Sequence, residues 1–384
     1  MNKKINNFAL NPDSATIEQF TNCCKESFVV NASLMPDAHS GYVAPIGAVL
    51  VTKDYIVPSW VGFDIGCGMT AVEIDNKEIV EKKTELFEEV KKRVPMGLGN
   101  LNDKNKITEH TKKELEKLIN KFKQKPHAKE VLQLIEARAL KHLGTLGHGN
   151  HFIELGISEK EKIWVVVHSG SRGIGHRLAQ KYMKEVAGKT KEYEQTFPIH
   201  KDSKLGKEYL NVLEFCLEFA LLNRMEIINQ VILAIEKILG KKINWNVWAN
   251  KNHNHAIYEN GFFIHRKGAT PAKKDEHGII PGNMKDGTFL VIGKGNTDFL
   301  ESSSHGAGRK MSRTKAKENI SLKEFEESMK GIKGSVSKET IDEAPMAYKD
   351  IYSVMNLQKQ SVEIVEHIKP IINWKGEKHK KINI

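Results

Sequence analysis

Seven short segments gather ionisable or metal-binding side chains, six of them beside glycines. Asp37 and His39 stand in MPDAHSGY, Asp64 and Cys67 in GFDIGCGM, and Asn150, His151 and Glu154 in GHGNHFIE. His168 and Arg172 stand in HSGSRGIG, and His253 and Asn254 in NHNHA. His265, Arg266 and Lys267 stand in HRKGAT, and His305, Arg309 and Arg313 in SSSHGAGRKMSR. Glycine lets backbone approach a ligand or take a left-handed turn. One such segment carries little meaning, but seven in one chain point to a shared cavity. Asp64 and Cys67 are three apart in a glycine-flanked turn, so both can face one ion. Histidines from distant segments would complete a mixed O/S/N metal site. The same pair equally fits a buried thiol beside a turn aspartate, because Asp-x-x-Cys is far weaker than a four-cysteine zinc pattern. His151 and His168, taken singly, each fit a satisfied core histidine. His253 competes with His255, and spacing does not choose between them. His142, His148 and His176 are read as bystanders.

A second kind of chemistry surrounds His305. The run HGAGR, between three serines and further cations, could cradle phosphate with backbone N–H groups while arginines take the oxygens. An imidazole inside such a cradle can act as general base or nucleophile. The bland alternative is a flexible basic loop. HSGSRGIGH places a glycine-rich turn between a strand and a helix, which suits an anion. It lacks the Gly-Lys-Ser/Thr ending of a P-loop. HRKGAT adds two cations at a strand end. Together these residues predict a metal-dependent enzyme acting on phosphates.

The elements that must position them come in blocks. Residues 35–70 read as short strands joined by Gly/Pro/Asp turns. Residues 77–142 read as amphipathic helices. Over 77–125 there are 14 Lys/Arg against 9 Asp/Glu, and solvated helix faces explain that balance better than an RNA track. KIWVVVHSGSRGIGHRLA predicts a buried strand and then a helix. One long helix is predicted over 205–239, with Leu205, Tyr209, Leu213, Cys216, Ala220 and Asn223 on one face and Gly240 as its stop. Cys216 is read as a small core residue. Residues 257–300 return to strands. Blocks of strands and helices argue for an α+β fold and against regular βαβ alternation.

Composition bounds the rest. The chain has 384 residues, a formal charge of +11 and four cysteines. The only close cysteine pair, Cys23 and Cys24, is adjacent and poorly placed to bridge. No apolar run approaches the ~20 residues that span a bilayer, and the N-terminus lacks the apolar core of a signal peptide. These readings predict a cytoplasmic protein without a membrane partner. The positive surplus hints at a polyanionic partner. No repeat or linker divides the chain, and chemical residues run from 37 to 375, so one integrated unit is expected.

These motifs, with EAPMAYKD and a near-terminal WKG, resemble the RtcB RNA ligase family in order and approximate spacing from 35 to 376. The resemblance implies a single RtcB-like catalytic domain over 1–384, of mixed sheets with surrounding helices around a central metal and nucleotide cleft. Within it, 77–142 is mainly helical and 377–384 is a basic tail. The implied activity joins an RNA 3′-phosphate or 2′,3′-cyclic phosphate to an RNA 5′-hydroxyl, using GTP and manganese, in RNA repair or tRNA splicing. His305 matches the nucleophile that carries GMP. Asp64, Cys67, His151, His168 and His253 match the metal ligands, with Cys67 bridging two Mn²⁺ ions. Guanine nucleotide contacts carry over to Asn150, His151, Phe152, Ile153, Glu154, His253 and Asn254. They continue with Pro281, Gly282, Asn283, Met284 and Thr288, then His305, Gly306, Ala307 and Gly308, and end with Tyr348 and Lys375. Arg172, Arg309 and Arg313 are expected to hold RNA or triphosphate oxygens. The implied partners are RNA with broken ends and GTP; an activating protein is compatible but has no signature in the sequence.

The chain departs from the usual pattern in five places. Val43-Ala44 replace Gly-Phe, Asn283 replaces a serine, Lys285 a glycine and Pro271 an arginine. A further eight residues, EKHKKINI, follow WKG. Asn283 and Thr288 retain hydrogen-bonding ability, so the resemblance still implies guanine binding. Two rival readings use the same residues: a metal-dependent RNA-end phosphodiesterase or phosphatase, and a non-catalytic RNA-binding paralogue. The second would be expected to lack metal ligands, and none is missing.

Overall fold

The computed structural model describes residues 3–188 and 192–377. All of the basic tail beyond Glu377 lies outside the described residues. The eight-stranded sheet has seven strands in the order His277–Pro281, Thr288–Gly293, Val362–Trp374, Phe152–Ser158, Ile163–Ser169, Gly68–Ile74, Trp245–Asn252. The eighth, Lys333–Gly334, pairs with Val362–Trp374. Ile163–Ser169 is buried at every position. That burial on both faces is why Ile163–Val167 reads as an unbroken apolar run, mostly β-branched. A five-stranded sheet runs Lys4–Asn7, Val29–His39, Ile46–Lys53, Phe262–Lys267, Asn254–Glu259. The fold is α+β, as the blockwise pattern predicts.

The long helix spans Lys204–Leu239, one residue longer than predicted. Ser203 Oγ accepts the Gly206 N–H at 3.0 Å, and Gly240 ends the helix in the left-handed conformation at φ 66°. At 36 residues it is about 54 Å long and serves two cores. Its first half sends Tyr209, Leu213 and Cys216 against the helices Glu109–Lys123, Lys129–His142 and Arg172–Ala187. Its second half lays Ile227, Val231 and Ile235 on Val72, Leu155 and Val165 of the large sheet.

Several lysines of the helical segment form ion pairs. Lys112 meets Glu109, Lys117 meets Glu114, Lys123 meets Glu136, and Lys121 meets both Glu214 and Glu218. Exposed pairs of this kind stabilise little, and they fit a solvated face better than a polyanion track. No helix among the described residues is long and apolar enough to cross a membrane.

Candidate metal and nucleotide site

Strand register brings the distant ligand candidates together. Phe152 pairs with His168, His168 with Met69, and Gly68 with Asn252. His151, Cys67 and His253 each lie one residue from a member of that row. The chain leaves the large sheet after Asn252 and enters the five-stranded sheet at Asn254. His253 is the residue between them, and its N–H donates to Cys67 O at 2.8 Å. His255 pairs with Arg266 inside the second sheet. The break between sheets therefore selects His253 for the cluster, although a continuous strand would put both histidines on one face.

Cys67 Sγ lies 3.1 Å from His168 Nε2 and 3.4 Å from His151 Nε2. His168 Nε2 lies 3.2 Å from His253 Nε2, and Asp64 Oδ2 lies 2.9 Å from His151 Nε2. Ligand atoms sharing one ion at bonds of about 2.0–2.3 Å stand roughly 3–3.5 Å apart, so the spacing fits an ion. The tautomer fits too. His168 Nδ1 faces the Asn150 carbonyl at 3.1 Å and can only donate there, which leaves a lone pair on Nε2 aimed into the cluster. Thiol, imidazole and carboxylate donors suit Mn²⁺ or Zn²⁺. Close packing explains the glycines. A Cβ at Gly68 would meet Lys251 O at 2.1 Å, and one at Gly170 would meet Asp64 Oδ1 at 2.4 Å. The glycine turn read as an anion site thus packs against a carboxylate of the protein itself.

Burial dominates the electrostatics. It would raise the Asp64 carboxyl, but His151 and Arg172 overturn that and hold it well below the usual range. Burial, reinforced by Asp64, pushes the Cys67 thiol well up. It also pushes the His168 and His253 imidazoles well down, so both are neutral and able to ligate.

A fully buried arginine braces the cluster from the long helix. Arg224 Nη1 donates to Gly66 O and Ser169 O, both at 3.0 Å, and Nη2 donates to Asn252 Oδ1 at 2.8 Å. Those acceptors are the chain neighbours of Cys67, His168 and His253. The preceding Asn223 donates to Thr145 O at 3.2 Å and to Ser169 Oγ at 3.1 Å.

His305 follows the strand Ser302–Ser304 and stands beside the cluster, with ring centroids 4.9 Å from those of His253. Asp37, buried at the end of Val29–His39, sits behind it. A Cβ at Gly268 would lie 3.1 Å from His305 Nδ1, so that glycine gives the imidazole room.

One cavity of about 820 Å³ joins these groups. Its wall includes Asp64, Cys67, His168, His253, Asn254 and His305, with Asn150, Phe152 and Glu154. Pro281, Gly282, Asn283 and Met284 continue it, as do Gly306, Ala307, Gly308, Tyr348, Lys375, Arg309 and Arg313. Four site candidates lie off the wall. His151 reaches the cluster from behind Asp64 and Cys67. Ile153 points to the opposite face of its strand, into the core. Thr288 stands behind Glu154, donating to Oε1 at 3.0 Å. Arg172 is placed against His151, with Nη1 3.0 Å from Nδ1 and Nε donating to Thr145 Oγ1 at 3.3 Å.

The cations differ in their setting. Arg266, read as a phosphate cation, is fully buried and off the wall; it donates to Ser302 Oγ at 2.8 Å and so supports the strand before His305. Its neighbour Lys267 reaches the cavity and donates to Ser59 O at 3.2 Å. Glu343 gathers others. Lys375 Nζ donates to it at 3.0 Å, Arg309 Nη1 at 3.3 Å and the Tyr348 hydroxyl at 2.5 Å. Arg313 donates to Glu343 and to Asp342 Oδ2, the latter at 2.8 Å. Burial would raise the Glu343 carboxyl, but Lys375, Arg313 and Arg309 hold it well below the usual range. Across the wall, burial raises the Glu154 carboxyl to about 8, against opposing bonds from Thr288 and Asn373.

Sequence reasoning left Asp37 without an assigned role and missed Arg224, Glu343 and Asn373. Asp37 carries a glycine signal; Arg224 and Asn223 are only polar interruptions of an apolar helix face, which is a usable signal. Glu343 and Asn373 have none.

Comparison with known proteins adds three relatives. A family described as "tRNA-splicing ligase RtcB" matches residues 19–376. The RNA-splicing ligase RtcB of Escherichia coli K12 is 33% identical, covering 94% of this chain and 93% of the relative. The tRNA-splicing ligase RtcB of Nanoarchaeum equitans is 30% identical over 89% of this chain and 87% of its own. RNA-splicing ligase RtcB homolog 1 of Entamoeba dispar is 30% identical over 94% and 82%.

Proposed function

The chain belongs to the tRNA-splicing ligase RtcB family, and on that premise we propose that it is an RNA ligase that joins 3′-phosphate or 2′,3′-cyclic phosphate ends to 5′-hydroxyl ends, with GTP as co-substrate and manganese at the Cys67 cluster. One observation carries this reading: His305 stands beside the Asp64, Cys67, His151, His168 and His253 cluster in a cavity large enough for a nucleotide. Cavities for small ligands run to about 300–1,000 Å³.

The steps follow from the residues. Asp37 favours the hydrogen on His305 Nδ1, which leaves the Nε2 lone pair for attack. Nε2 attacks the α-phosphorus of GTP; an N–P bond forms, the bond to the β-phosphate oxygen breaks, and pyrophosphate leaves. An oxygen of the RNA 3′-phosphate then attacks the same phosphorus and frees His305, giving RNA(3′)pp(5′)G. The 5′-hydroxyl attacks the 3′-phosphorus, loses its proton to solvent or a nearby base, and expels GMP. A cyclic end is opened by water to the 3′-phosphate first. Divalent ions in the cluster would neutralise phosphate charge and stabilise entering and leaving oxygens. Glu154, with Thr288 and Asn373 behind it, is suited to the donor edge of guanine, and Lys375, Arg309 and Arg313 to phosphate oxygens. Four free, buried cysteines suit a reducing compartment such as the cytoplasm.

The test is direct. Protein incubated with α-labelled GTP and Mn²⁺ should carry a label that is acid-labile and alkali-stable. Label that persists in His305→Ala would remove His305 from the role. Shortened or dephosphorylated RNA with no need for GTP would favour the phosphodiesterase reading.

A further inference from the structure

The cavity has a second end, and its lining is of a different kind. Tyr42 is the most exposed of the large hydrophobic side chains among the described residues, at 70%. Its ring meets Phe63 edge to face, with centroids 5.6 Å apart and planes at 88°. Phe63 in turn stacks on His176 at 5.0 Å and 21°. All three rings line the same cavity as Cys67, His168, His253 and His305, and Phe63 is the chain neighbour of Asp64.

The exposure of Tyr42 is not slack. Gln19 clamps its loop: Nε2 donates to Gly41 O at 2.8 Å and Tyr42 O at 3.3 Å, and Oε1 accepts the Gly41 N–H at 3.0 Å. Ser40 Oγ donates to Asp13 Oδ2 at 2.8 Å. A Cβ at Gly41 would meet Ala44 O at 2.5 Å, so the turn depends on glycine. The protein therefore holds a large ring out into water. That costs hydrophobic burial beyond what the Phe63 edge returns, and it pre-organises a stacking face.

Contacts trace a path from this ledge to the nucleotide end. Gly62, beside Phe63, faces Lys267 (a Cβ there would be 3.6 Å from Cε), Gly268 faces His305, and Gly306 faces Pro281. His305 lies on that path. One end holds a buried carboxylate and a buried lysine, able to read one base. The other offers ring faces, which stack on any base.

We propose that Tyr42, Phe63 and His176 form a stacking subsite for the nucleobase at the reacting end of an RNA strand, in the cavity that also holds His305 and the guanylate site. The proposal rests on the RNA ligase reading. A base on this ledge would place its own terminal phosphate or hydroxyl toward the Asp64–Cys67 turn, because Phe63 and Asp64 are consecutive. Stacking would hold an RNA end whatever its base, since every base has a π-face.

The experiment measures binding of short labelled RNA to Mn²⁺-loaded protein by fluorescence anisotropy. One RNA ends in a 3′-phosphate and the other begins with a 5′-hydroxyl; each is also made with its terminal nucleoside lacking a base. Tyr42→Ala should weaken one intact RNA about tenfold, and the strand affected identifies the end that stacks. The corresponding abasic RNA should bind wild type and Tyr42→Ala equally. Tyr42→Phe should restore binding, whereas Tyr42→Leu, which keeps bulk without the ring, should not. Phe63→Leu provides an independent loss on the same strand. Wild-type affinity of Tyr42→Ala for both intact RNAs, or an equal loss with abasic RNA, overturns the ledge. Wild-type protein that neither takes label from GTP nor joins RNA overturns the ligase reading instead.

Discussion

Asp37 Oδ2 lies 2.6 Å from His305 Nδ1, and the same oxygen accepts the backbone N–H groups of His305 at 3.1 Å and Gly306 at 3.2 Å. The carboxylate lies off the line of the ring N–H, so Nδ1 makes no aligned hydrogen bond. One oxygen thus anchors the turn after Ser304 and stands against the imidazole. A Cβ at Gly308 would meet Asp37 O at 2.1 Å, which ties the two segments further.

Asp37→Asn keeps the shape but loses the charge that selects the tautomer. GTP-dependent labelling of His305 should slow on the order of 10²-fold, with bound metal retained. Labelling at the wild-type rate would show that Asp37 serves only to hold the backbone.

Arg224 should set metal affinity without touching an ion. Removing a group that orients ligands costs about 10–100-fold in affinity. Arg224→Met is therefore expected to raise the Mn²⁺ dissociation constant by that factor and to alter the visible spectrum of the Co²⁺-substituted protein, with partial recovery in Arg224→Lys. An unchanged spectrum and constant, whatever the loss in melting temperature, would reduce Arg224 to a packing role.

The two neighbouring histidines should separate cleanly. His253→Ala should lower metal content after dialysis, as should Cys67→Ala. His255→Gln should keep it, because His255 lies within the five-stranded sheet, paired with Arg266. Equal metal loss in both histidine variants would contradict the strand break as the selector.

Glu154 gives a pH signature in the ligand-free protein. Its ordinary value is 4.5, and burial raises it to about 8. Below about pH 4.5 it is protonated in both folded and unfolded chains and has no effect. Between 4.5 and 8 the folded protein keeps a proton that the unfolded chain gives up, so stability falls as pH rises. Above about 8 the loss is complete, up to about 5 kcal/mol for this fully buried group. Glu154→Gln should thus gain stability over wild type from pH 5 to pH 8, measured by denaturant midpoints. A difference that stays flat with pH would mean that Glu154 is ionised in the fold.

Much of this protein is legible in one chain of letters, for physical reasons. The long helix is readable because its apolar period runs from Ser203 to Gly240, interrupted by few polar residues such as Asn223 and Arg224, and both ends carry a local stop. The buried strand before His168 is readable because burial on both faces favours an unbroken run of apolar, mostly β-branched residues. The chemical groups are readable because backbone and side chains that pack this closely need glycine beside them. These are local constraints, and local sequence records them.

What tertiary structure decided is where each group faces. His253 enters the cluster and His255 does not because the chain changes sheets between Asn252 and Asn254. Arg172 and Arg266, cations beside glycines like the rest, turn toward His151 and the strand before His305. Asp37 and His305 are 268 residues apart, and Glu343 gathers Lys375, Arg309 and Arg313 from other segments. Partnerships of that range depend on strand register and on the joining of two sheets, and no spacing within a segment encodes them.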